Sequence, residues 1–66
     1  MELKIADFRE EADEKFHYNL RRGLGNLERK KKSSAVKWFQ RAIGWAMDHR
    51  QDYQARQFLK KAESLP

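Results

Sequence analysis

The chain has 66 residues, which is room for a single domain (1–66) whose core contributes only about 3–5 kcal/mol; a partner or a second copy is the natural supplement. It has no cysteine, which excludes disulfides and a thiol nucleophile, and its two histidines, His17 and His49, lack metal-ligand spacing. The net charge of +5 is uneven: residues 1–20 carry three basic and six acidic side chains, residues 21–41 eight and one, and residues 42–66 four and three.

The acidic opening MELKIADFREEADEKF has no apolar run of the signal-peptide kind, and no segment approaches the ~20 apolar residues of a membrane span. The expectation is a cytoplasmic protein with no membrane span. Proline occurs only at Pro66, and no alternating apolar pattern marks a strand, so helix is the reading almost throughout.

The first predicted helix covers about residues 4–31. Ile5, Phe8, Ala12, Phe16, Leu20, Leu24 and Leu27 fall within an arc of about 160°. Gly23 and Gly25 interrupt the stripe, each costing about 1 kcal/mol relative to alanine. A continuous helix is favoured over one broken at the glycines.

The central helix is predicted over about 34–47, with Ser34 as its N-cap. Ala35, Phe39, Ala42 and Ala46 form a narrow stripe, flanked by Trp38 and Trp45 on one side and by Val36, Ile43 and Met47 on the other. The resulting apolar arc of about 200° is too wide for one neighbour to cover. The third helix is predicted over about 52–64, capped by Asp52 or, through the capping-box pattern Asp48-His-Arg-Gln51, by Asp48. Ala55, Phe58, Leu59, Ala62 and Leu65 give it a single apolar face about 120° wide. The expected fold is all-α, a three-helix array or bundle with the central helix packed between the other two.

Ala35-Val-Lys-Trp-Phe39-Gln-Arg-Ala42 resembles the second helix of a tetratricopeptide repeat, with its A-x3-F-x2-A spacing. Gly23 lies twelve residues before Ala35, where that repeat places a small residue, and Tyr53 stands where a following repeat would place its leading aromatic. Asn19, Arg22, Asn26 and Met47 depart from the pattern. The resemblance covers about residues 19–56 and implies a protein-binding helical hairpin, of which at least three units normally stack.

Nothing points to catalysis. Ser33 and Ser34 have lysines rather than a histidine beside them, and Gly23-Leu-Gly25-Asn-Leu-Glu28 lacks both the third glycine and the preceding strand of a dinucleotide loop. No cofactor or small-molecule substrate is evident. The candidate binding features are two. Trp38 and Trp45, one heptad apart on one edge of the central helix, suit either the core or a partner interface. The basic run Arg29, Lys30, Lys31 and Lys32, which Lys37 and Arg41 and also Arg21 and Arg22 are expected to join in space, suits phosphate contact, simple solvation of a helix end, or an acidic protein surface or anionic lipid. The leading functional reading is a non-enzymatic helical protein-interaction module, an adaptor or small regulatory protein with a protein partner or a second copy. The alternative is a small basic nucleic-acid-binding or regulatory protein using the 21–41 segment.

Overall fold

The computed structural model describes the backbone of residues 5–66 and the side chains of residues 8–66. The predicted helix start at residue 4 and the place of the Ile5 side chain in the first stripe lie outside what it describes. Three helices follow one another: α1 (Ile5–Glu28), α2 (Lys32–Trp45) and α3 (His49–Glu63). The central helix α2 packs against both others, while α1 and α3 approach each other at only a few positions. That is the arrangement the wide apolar arc of α2 requires.

The first helix runs unbroken through both glycines. It ends at Glu28, three residues before the predicted end. The Lys31 N–H donates to the Asn26 carbonyl (2.8 Å) and the Lys30 N–H to the Leu27 carbonyl (3.0 Å), the paired bonds of a Schellman motif. The left-handed position of that motif is held by Lys30, at φ 60°. Glycine is the usual occupant, so no residue type here signals the stop.

Because the turn closes within three residues, α2 begins at Lys32 rather than near residue 34. Its N-cap position falls on Lys31, whose side chain makes no capping bond, and Ser34, predicted to cap, lies inside the first turn. The helix ends at Trp45 rather than residue 47, since Ala46 is already extended (φ −65°, ψ 130°). There the α3 cap takes over. Asp48 accepts from the Gln51 N–H (2.8 Å), and Gln51 Oε1 accepts from the Met47 N–H (3.0 Å). Of the two predicted caps Asp48 serves and Asp52 does not, so α3 starts at His49, three residues earlier than residue 52.

Small residues let the helices approach. Ala35 and Ala42 on α2 and Ala55 and Ala62 on α3 are fully buried, together with Phe16 and Phe39. Ala35, Phe39 and Ala42 are thus close-packed, whereas Tyr53 is 67% exposed. Phe39 pins all three helices: its ring stacks on Phe58 of α3 (centroids 5.7 Å apart, planes 17° apart) and lies directly against Gly23 of α1. A Cβ at Gly23 would stand 2.5 Å from two carbons of that ring. Gly23 is therefore a packing glycine.

One polar link crosses the array. Gln51, almost buried, donates from Nε2 to Asp13 Oδ1 (2.8 Å) and ties the α2–α3 junction to α1. The buried Asn19 satisfies its amide locally on the Lys15 carbonyl (2.7 Å). No helix among the described residues is long and apolar enough to cross a membrane.

Candidate nucleic-acid interface

α1 and α2 form an antiparallel hairpin folded about Lys30, so residues equidistant from it face each other. Arg22 and Trp38, eight residues to either side, meet with the guanidinium carbon 5.0 Å from the indole centroid. Lys15 and Trp45, fifteen to either side, meet with the ammonium 5.0 Å from the ring. This pairing brings the basic residues of two helices onto one edge.

Trp38 is the centre of that edge. Besides Arg22, the Arg41 guanidinium stands 5.0 Å and the Lys37 ammonium 5.9 Å from its ring centroid, all within cation–π range. Tyr18 packs edge-on against it at 6.1 Å and is itself half exposed, with Arg22 5.8 Å from its ring. Beside Trp38 lies a polar cavity of about 300 Å³ lined by Arg21, Arg22, Gly25, Asn26, Arg29 and Trp38. The Asn26 amide donates to the Arg22 carbonyl (2.8 Å).

The electrostatics are one-sided. Among the described residues, the ion pairs are Lys15–Glu11, Arg56–Asp52 and, when the imidazole is protonated, His17–Asp13. None involves Arg21, Arg22, Arg29, Lys37 or Arg41. Five cations thus converge without a carboxylate partner, with aromatic faces between them. Each exposed cation–π contact offsets only about 0.5–1 kcal/mol of the mutual repulsion. An arriving polyanion would relieve that repulsion.

The sequence-derived candidates divide accordingly. Arg29 lines the cavity, and Lys37 and Arg41 stand over Trp38. Lys30, Lys31 and Lys32 are exposed around the hairpin tip and line no cavity. Trp38 belongs to the basic edge, whereas Trp45, 40% exposed, lies further along the hairpin over Lys15. Tyr18 was not singled out by sequence, and Gly25 and Asn26 were noted there only as a break in the stripe and a departure from the repeat pattern. The signal for Tyr18 was there once the turn is centred on Lys30, because Tyr18 and Arg22 are one helical turn apart and both then face Trp38.

A second, larger cavity of about 630 Å³ opens between α1 and α3 beside the Asp13–Gln51 bond, its lining including Asp13, His17, Gln51, Tyr53, Phe58 and Lys61. Here Asp13 is already bonded to Gln51, and both signs of charge are present. At the same end of the molecule α1 runs past the end of α2, leaving Phe8 55% and Met47 43% exposed. Compared with protein-family models, with curated proteins and with solved structures, the chain finds no match.

Proposed function

We propose that this chain is a non-enzymatic helical binding module whose ligand is nucleic acid, held on the α1–α2 edge around Trp38. The observation that carries the reading is the gathering of Arg21, Arg22, Arg29, Lys37 and Arg41, none paired with a carboxylate among the described residues, about the half-buried Trp38 and the exposed Tyr18. Cations so placed release counterions when phosphates replace solvent, and that release drives sequence-independent nucleic-acid binding. Arginine beside aromatic rings is suited to a backbone that alternates anionic phosphates with planar bases. Lys30, Lys31 and Lys32 extend the positive field at the hairpin tip and would steer approach more than hold a phosphate.

The test compares two charge-matched variants by fluorescence anisotropy with labelled oligonucleotides. Arg21→Gln with Arg29→Gln removes two cations from the cavity, and Lys60→Gln with Lys61→Gln removes two from α3. The first pair should weaken binding well beyond the second and flatten its salt dependence by about one unit of slope per lost phosphate contact. Equal losses from both pairs would reduce the edge to generic surface charge and defeat the reading.

A second reading, a protein-interaction or self-associating module, is favoured by a different observation: Phe8, Trp45 and Met47 leave apolar surface exposed at the opposite end, beside the acidic first half of α1. The tetratricopeptide-like hairpin belongs with this reading. Trp45→Ala should then abolish association without loss of fold; a chain that sediments as a monomer at high concentration and low salt, and binds no protein through this end, would exclude it.

A further inference from the structure

We infer that the cavity beside Trp38 seats one nucleotide unit, with its phosphate among Arg21, Arg22 and Arg29, its base against the indole, and Gly25 as the floor that admits it. The inference rests on the nucleic-acid reading above but is carried by a separate observation, the presence of glycine at position 25.

A glycine inside a helix lowers stability, and a close packing contact is one reason for it. Gly23 has one, the ring of Phe39. Gly25 has none in the packing: a Cβ there would meet nothing within 4 Å. Backbone conformation does not require it either, since no described glycine has a positive φ. What distinguishes Gly25 is its place in the lining of the basic cavity, among three guanidiniums, the Asn26 side chain and Trp38. A bare backbone at that point leaves room for a group to lie close against the helix. At about 300 Å³ the cavity is at the small end of ligand pockets, suited to a single nucleotide rather than to a duplex.

The side chains are arranged for an exchange. Arg22 lies over the Trp38 ring and also lines the cavity. A base stacking on the indole would displace that guanidinium, which then reaches a phosphate and trades an exposed cation–π contact for a stronger charge-assisted hydrogen bond. Arg21 and Arg29, on the same cavity wall, would complete the phosphate cradle. A duplex buries its base faces in the stack and can offer only the phosphates, so the geometry selects an unpaired nucleotide.

The experiment uses the full chain carrying Trp45→Phe, so that Trp38 is the only indole, and titrates it at matched salt with a short oligothymidylate, a duplex of the same length, thymidine monophosphate and inorganic phosphate. The single strand should quench Trp38 emission and bind at least about fivefold more tightly than the duplex, the lower bound for one stacked base. Gly25→Ala should raise the melting temperature yet erase that preference, whereas Gly44→Ala, also free of contacts and outside the cavity, should raise it and leave binding intact. If thymidine monophosphate matches the oligonucleotide, the cavity serves free nucleotides; if only the strand quenches, it serves a strand. Equal binding of strand and duplex with unchanged emission, or wild-type binding by Gly25→Ala, overturns the cavity and leaves the polyanion reading standing. Failure to bind either polymer overturns both.

Discussion

Replacing Gly23 with alanine sets two effects of opposite sign against each other. Alanine gains about 1 kcal/mol of helix propensity over glycine. Against this, its Cβ would stand 2.5 Å from Cδ1 and Cε1 and 3.0 Å from Cζ of Phe39. Carbon atoms pack at about 3.5–4.0 Å, so the ring must retreat by about 1 Å. It has little room to move: Phe39 is fully buried, and its ring is also stacked on Phe58. Relief requires α1 and α2 to part along their contact, and overpacking of this kind costs about 1–3 kcal/mol. For a fully buried ring that is also stacked on Phe58 the upper half of that range applies, for a net loss of about 1–2 kcal/mol after the propensity gain. In a domain of this size the midpoint falls by about 4–16 °C. Gly25→Ala meets no atom and gains its propensity in full, so its midpoint should rise by about 4–8 °C. Thermal and urea unfolding followed by circular dichroism at the helical band reads both variants. A Gly23→Ala chain as stable as the wild type would refute the close α1–α2 approach and the pinning role of Phe39.

Two further substitutions test the junctions. Lys30→Gly relieves the left-handed backbone at φ 60° and should stabilise the chain by about 1 kcal/mol in the same unfolding assay; a destabilised variant would contradict the Schellman turn. Gln51→Glu keeps the acceptor for the Met47 N–H but sets a carboxylate against Asp13, so it should cost about 2–3 kcal/mol, and adding Asp13→Asn should recover most of the loss. Additive effects of the two changes would mean that the Asp13–Gln51 bond does not link α1 to α3.

The helix count and the central place of α2 were legible in the spacing of apolar residues, above all in an arc too wide for one neighbour. The Asp48 cap was legible too, because Asp48 and Gln51 are the residue types a capping box uses. The end of α1 was not, since Lys30 occupies a position where glycine or asparagine normally announces the stop. That hidden turn also concealed the candidate site. Until the hairpin is centred on Lys30, nothing in the one-dimensional pattern brings Arg22 to Trp38 or separates the environment of Trp38 from that of Trp45. The distinction between Gly23 and Gly25 was likewise invisible: both interrupt the same stripe, and only the position of the Phe39 ring gives one of them a packing role.

The central claim, that the Trp38 edge binds nucleic acid, is tested most directly by the affinity of the unmodified chain for a labelled single strand across a series of salt concentrations. Engagement of the five cations that have no carboxylate partner among the described residues predicts that the logarithm of affinity falls linearly with the logarithm of salt, with a slope of about −3 to −4 for a single strand. A slope near zero, or no binding even at the lowest salt, would contradict the claim and turn attention to the exposed Phe8, Trp45 and Met47.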